Sequence, residues 1–222
     1  MRRALDERRV GRVHLVDISV RMSSLVHDKF SWLSDGFMGG GVVSLIGSHI
    51  IDLVGFLTGR RAQRAHALIR TFRRQSREPM RTITSPDFCV FQLELDDGVL
   101  VTASLHSDPS NAFEHNVLVC GDTGHLAAIG SDLVLRRADA GEEKLYIDIK
   151  QDGAEIKQIP RMYLKGMNNM IRCLASAFTP ADSSWNKDSV ATSATFDDAF
   201  YVFRIIEALK RSSVTRAWEK IE

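Results

Sequence analysis

From residue 65 to residue 159 the chain breaks into short runs in which apolar and polar side chains alternate, each closed by turn-forming residues. The runs cover 65–72, 88–95, 99–107 and 115–120, with shorter ones at 125–129, 133–137, 144–150 and 155–159. Asp96-Asp97-Gly98, Asp122-Thr123-Gly124 and Asp152-Gly153 punctuate them. A period of two sends successive side chains to opposite faces of a sheet, and connections this short return the chain beside itself, so the pairing expected is antiparallel. A further β-branched run, RVHLVDISV at 12–20, predicts an earlier strand.

Helical spacing frames these strands. MRRALDERRV predicts a short helix ended by Gly11, and residues 21–38 read as a long loop. After Gly39-Gly40-Gly41, the positions Val42, Ile46, Ile50, Leu53 and Leu57 recur on one helical face, and Gly59 stands where a left-handed C-terminal cap is usual. Residues 163–178 and 189–211 predict two closing helices joined by a loop around 180–185. The expected fold is α+β, one domain over 1–222: an open, largely antiparallel sheet with helices packed on one face. The other sheet face is then free to meet a second copy of the chain.

Composition narrows the function classes. Lys plus Arg number 29 against 28 Asp plus Glu, a net charge of +1, so no strong overall field draws the chain to nucleic acid. No apolar stretch reaches the roughly 18 residues of a membrane span and no secretory core opens the chain, so the expectation is a cytoplasmic protein without membrane contact. Cys89, Cys120 and Cys173 are odd in number and far apart, which fits buried thiols rather than a disulfide frame or a C-x-x-C site. His14, His66, His106, His115 and His125 fall at spacings that form no metal set, and none is expected. No G-x-G-x-x-G follows a strand near the start, so the chain alone is not expected to hold NAD(P).

The segment G-G-G-V-V-S-L-I-G-S-H-I-I-D-L-V-G-F-L-T-G at 39–59 removes side chains where a loop enters a helix, allowing close backbone or ligand approach near free N–H groups. It resembles the G-G-G-x-x-x-D-x-G-x-H-x-x-D-x-x-x-x-L-x-G segment of the second domain of the Gfo/Idh/MocA oxidoreductases. GRVHLVDISV is similar to that domain's first strand, EHNVLVCGDTGHLAA to its late hairpin and FDDAFYVFRIIEALKRSSVTRAWEKIE to its final helix and tail. Leu164-Lys165-Gly166-Met167 and Asp87-Phe88-Cys89 resemble the animal glucose-fructose oxidoreductase domain-containing proteins. The resemblance begins at residue 1, so the family's N-terminal Rossmann domain and its E-K-P lysine are expected to lie outside this chain.

What the resemblance implies is a C-terminal substrate and oligomerisation domain of an NAD(P)-dependent oxidoreductase acting on a sugar-like alcohol, with NAD(P) bound by the full-length protein only. In the family an Asp and the His four residues later manage the substrate hydroxyl proton with that lysine. Position 45 here is Leu, which accepts no proton, while His49 stands in the right place. Catalysis, substrate hydrogen bonding and a structural histidine all remain open for His49. Asp52, one turn on, is expected to bond a backbone amide or an arginine. Trp32 resembles a family Trp that walls the cofactor side, with core packing as its alternative. The loss at Leu45 supports a second reading, a non-catalytic scaffold that uses the sheet face for association; the animal proteins' link to the extracellular matrix would then apply. Arg60, Arg61, Arg64, Arg70, Arg73, Arg74, Arg77 and Arg81, against Glu78, form the one charge asymmetry, read as a polyanion patch or a solvated loop and strand edge.

Overall fold

A computed structural model describes residues 1–73, 75–76, 80–108, 113–146, 161–178 and 187–222. The chain forms two compact units, Met1–Ile147 with Asp197–Glu222, and Asp148–Phe196. The second holds α3 (Arg161–Phe178) and a 3₁₀ turn at Lys187–Val190, where the Ser176 and Ser189 hydroxyls lie 3.1 Å apart. The strand expected at 155–159 and residues 147–150 of its neighbour lie outside the described residues.

The first unit is built on nine strands: β1 (Val13–Ser23), β2 (Ala62–Arg70), β3 (Phe88–Leu95), β4 (Leu100–Asp108), β5 (Glu114–Gly121), β6 (Gly124–Ile129), β7 (Asp132–Arg137), β8 (Gly141–Tyr146) and β9 (Glu219–Lys220). Their spatial order is β8-β7-β6-β5-β1-β4-β3-β2-β9. Every neighbouring pair is antiparallel except β1 with β4, which run parallel with Leu15 opposite Leu100 and Met22 opposite Ser107. β1 continues to Ser23, three residues into the segment read as loop, because Arg21, Met22 and Ser23 find ladder partners in His106, Ser107 and Asp108.

One sheet face is buried and the other is not. Val16, Ile18 and Val20 of β1 and Val101, Ala103 and Leu105 of β4 point into the core with Phe91, Leu93, Val117, Val119 and Leu126. Against them pack α2 (Ser48–Thr58) through Ile50, Ile51, Val54 and Leu57, and α4 (Phe196–Thr215) through Val202, Ile205, Ile206 and Leu209. Truncating one of these to Ala costs about 2–5 kcal/mol in a comparable core. The alternate residues Asp17, Leu100, Thr102, Val90 and Leu118 face the exposed side, and there the Thr102 hydroxyl donates to the Asp17 carboxylate.

α4 starts seven residues later than its periodicity suggests, at Phe196, with Asp197 and Asp198 in the first turn where the helix dipole favours acids. It is fastened to β2 by hydrogen bonds. The Ala62 amide donates to the Tyr201 hydroxyl at 2.6 Å, the Ala67 amide to Ser212 Oγ and the Ile69 amide to Ser213 Oγ, both at 3.0 Å. β9 pairs only with Arg64 and Ala65, so the two serines satisfy the edge N–H groups that β9 does not reach. At the other end of the helix layer, α1 (Arg2–Asp6) places Arg2 on the carbonyls of Phe56 and Leu57, beside the left-handed cap at Gly59. Burial pushes the Cys89 thiol up to about 12, which leaves it an inert core residue.

Two predictions follow from this packing. Ser212 is fully buried and also donates to the Ala217 carbonyl at 2.6 Å, so Ser212→Ala strands a donor and an acceptor. The expected loss is about 1–3 kcal/mol, read as a lower urea midpoint. Burial also lowers the pKa of His115, whose Nδ1 has no hydrogen-bond partner among the described residues. The unfolded chain takes up this proton near pH ~6.5 and the folded chain resists it, so stability is full above that pH and declines as pH falls through it. His115→Gln should show a smaller drop in melting temperature between pH 7.5 and pH 5 than the parent.

Candidate active-site surface

The loop from Ser24 to Gly41 and the loop from Thr71 to Asp87 meet at the carboxyl end of the parallel pair, and hydrogen bonds lace them together. Asp87 is the hub. Its carboxylate accepts from the amides of Phe72 and Arg73 at 2.8 Å, its amide donates to the Arg70 carbonyl at 3.2 Å, and its carbonyl accepts from the Ser107 amide at 2.8 Å. Arg73 reaches across to the Val26 carbonyl at 2.8 Å and to Asp28 at 3.2 Å. Ser34, fully buried, accepts from the amides of Thr84 and Ser85 at 3.0 and 3.2 Å. The sequence carried only a weak signal for this lacing, the turn-forming Ser85-Pro86-Asp87.

The triple glycine sits inside this lacing, and the structure corrects the expectation for its amides. A Cβ on Gly40 would lie 2.4 Å from the Leu33 carbonyl oxygen, and one on Gly41 would lie 2.5–2.7 Å from Pro86. The chain's own backbone makes the close approach expected at Gly40 and Gly41. Gly40 donates to Asp35 at 2.9 Å and Val42 to Pro86 at 2.8 Å, so these N–H groups are held internally. Gly39 has a positive φ of 86°, and a Cβ added there would meet nothing within 4 Å.

From Gly41 the chain enters a π-helical turn, Val43–Gly47, that leads directly into α2. Such wide turns concentrate at functional sites. Leu45 lies within it, and His49 and Asp52 follow on α2, with His49 exposed and Asp52 half-buried. Neither the imidazole nor the Asp52 carboxylate bonds another side chain or a backbone group among the described residues. The backbone bond expected of Asp52, or its arginine, is therefore not formed. Trp32 is 50% exposed in a 3₁₀ turn (Trp32–Ser34) whose backbone rests on Gly40, so it shares the loop end with the start of the helix.

Other residues separate in space. His66, His106 and His125 alternate onto the exposed sheet face, opposite the layer that carries His49. No group of three or more His, Cys, Asp or Glu suited to a metal ion occurs among the described residues. Of the arginine run only Arg64 and Arg70 lie on β2, with Arg60 and Arg61 before it and Arg73 and Arg81 after it, and each of these described members has a partner. Arg60 meets Asp97 at 3.1 Å, Arg61 meets Asp198 at 3.1 Å and lies 4.1 Å over the Tyr201 ring, and Arg64 Nε meets Glu94 at 3.0 Å. Arg70 bonds the Ile69 carbonyl and Arg81 lies over Phe30; Arg74 and Arg77 are outside the described residues.

A model of the GFO/IDH/MocA C-terminal domain matches residues 1–127. The chain belongs to that family. Human glucose-fructose oxidoreductase domain-containing protein 2 is 36% identical over 232 residues, a match covering 100% of this chain and 60% of the relative. The chain thus spans about 60% of the length of the curated relatives it matches. An oxidoreductase domain protein from Kribbella flavida superposes with a TM-score of 0.79 at 19% identity, over 100% of this chain and 61% of that one. Levoglucosan dehydrogenase in complex with NADH and L-sorbose gives 0.76 at 14% identity, again over 100% and 61%. These likenesses show the same fold. No helix among the described residues is long and apolar enough to cross a membrane.

The glycines divide by mechanism. Gly41→Ala places a Cβ against Pro86 at a φ of 98°, whereas Gly39→Ala meets only backbone strain. Gly41→Ala should lower the melting temperature more than Gly39→Ala and broaden the amide signals of residues 42–49, as heteronuclear NMR would report.

Proposed function

We propose that this chain is the substrate-binding and oligomerisation domain of an NAD(P)-dependent oxidoreductase that acts on a sugar-like alcohol. The observation that carries the reading is the exposed His49 on the outward face of α2, on a helix start locked to the loop end by Gly41, Val42 and Pro86. An imidazole held this way can take the proton of a substrate hydroxyl and return it. Trp32, exposed in the turn that rests on Gly40, supplies an apolar wall at that loop end.

The nucleotide is best held elsewhere in the full-length protein. The described residues offer one parallel strand pair without a G-x-G-x-x-G turn, and the amides of Gly40 and Val42 are already bonded. They fit the wall of a cofactor site and not its phosphate cradle. NAD(P), when bound, supplies hydride chemistry; His49, Trp32 and the helix start orient the alcohol against it. A levoglucosan dehydrogenase that holds NADH and L-sorbose on the same fold supports a sugar-like substrate.

Leu45 favours a second reading, a non-catalytic scaffold, because it removes the acid that would orient the imidazole. Either reading uses the uncovered sheet face, with Leu100, Leu118 and Val90, for pairing with another copy. Polyanion binding at the arginines and association with the extracellular matrix belong to the scaffold reading.

NADPH fluorescence titration decides between the two. The full-length form should bind and oxidise a sugar alcohol, and the isolated chain should bind far more weakly. Absence of nucleotide binding by the long form overturns the enzyme reading. In a binding-competent long form, Leu45→Asp should raise kcat by on the order of tenfold or more; no gain means that position 45 does not limit the chemistry.

A further inference from the structure

We propose that Asp52 partners His49, supplying the carboxylate that Leu45 does not provide; the proposal rests on the enzyme reading above. His49 and Asp52 are three residues apart on α2, a spacing that makes side chains neighbours on one helix face, with Cβ atoms about 5–6 Å apart. Both belong to regular α-helix, so their spacing is set by a rigid element rather than a loop.

Asp52 has nothing else to do among the described residues. It is half-buried and has no bond to a backbone amide or to an arginine. The cations at the far end of α2 are already engaged: Arg2 with Asp6 and the Phe56 and Leu57 carbonyls, Arg60 with Asp97 at 3.1 Å. His49 is likewise unbonded among the described residues and exposed, so neither side chain is committed to another partner there. Hydrogen bonds of this kind are commonly long before substrate arrives and tighten on binding.

The chemistry follows from the two ring nitrogens. A carboxylate accepting from one N–H fixes the tautomer and leaves the other nitrogen unprotonated toward the substrate hydroxyl. When that nitrogen takes the hydroxyl proton, Asp52 stays ionised and stabilises the imidazolium. Asp52 is thus a positioning residue that acts through His49. The segment this helix resembles carries an acid at both places, four residues before the histidine and three after it, and this chain keeps only the second.

The test reads the imidazole directly. Long-range ¹⁵N–¹H spectra of the 222-residue chain at pH 7.5, with the His49 signals assigned by their loss in His49→Gln, report its tautomer ratio. One tautomer should dominate in the parent. Asp52→Ala should shift the ratio several-fold toward that of free imidazole, and Asp52→Glu should restore it, with unchanged circular dichroism as the folding control. An unchanged ratio in Asp52→Ala overturns the proposal, as does a Glu variant that behaves like Ala. Should Asp52→Ala not fold, Asp52→Asn provides the same comparison. In an active full-length form, Asp52→Ala should lower kcat by about 10–100-fold with little change in KM. An inactive full-length form sinks the enzyme reading alone, since the tautomer measurement requires no turnover.

Discussion

The parallel pairing of β1 with β4 is the constraint from which the rest of the first unit follows. Two strands that run the same way cannot be joined by a hairpin, so the chain between them must travel back over or beside the sheet. It does so through α2 on one face and through β2 and β3 at the margin. The carboxyl ends of both central strands then lie together, and so do the two loops at those ends. Ser107 shows the consequence: its hydroxyl accepts from Leu25 at 3.0 Å while its amide donates to Asp87 at 2.8 Å. One residue at the end of a strand ties down both loops, and through Pro86 it fixes where the helix bearing His49 begins.

The covering of one sheet face and the closing of its edge are coupled. α4 buries Ile205 and Leu209 against the sheet and from the same helix presents Tyr201, Ser212 and Ser213 to the amides of β2. Apolar burial supplies most of the free energy, while the hydrogen bonds set the position of the helix along the strand. An edge finished in this way has fewer free N–H groups for unwanted pairing, and the opposite sheet face stays exposed. That face is mixed, with Leu100 and Val90 beside Thr102, Gln92 and the bonded Asp17.

The candidate site combines a rigid support with little internal satisfaction. Below the helix start Ser34, Thr84 and Asp87 are hydrogen-bonded, while the buried Ser85 hydroxyl has no partner among the described residues. Above it, His49 and Asp52 make no bond to another group among the described residues and stand on a helix that opens with a π-helical turn. Groups left unsatisfied on a firmly held element can reorganise at little cost when a ligand or a second domain arrives. The same fold carries a levoglucosan dehydrogenase at 14% identity, a likeness of fold and not of chemistry.

Local pattern in the sequence was enough to locate most of the strands, the hairpin turn at Asp96-Asp97-Gly98, the left-handed cap at Gly59 and the layering of helices on one sheet face. These are short-range matters, decided by side-chain period and by which residues tolerate a positive φ. The identity of β1's partners was not legible, because period two says which way a side chain points and nothing about which strand lies alongside. For the same reason β9, only two residues long, was invisible until Arg64 and Ala65 were seen to pair with it. The triple glycine could be recognised, but that Leu33 and Pro86 occupy the space its missing side chains leave depended on the folded loops. Arg60 and Arg61, adjacent in sequence, reach different acids, Asp97 and the distant Asp198. Tertiary structure alone decided these points, since each depends on contacts between segments that only the packed core brings together.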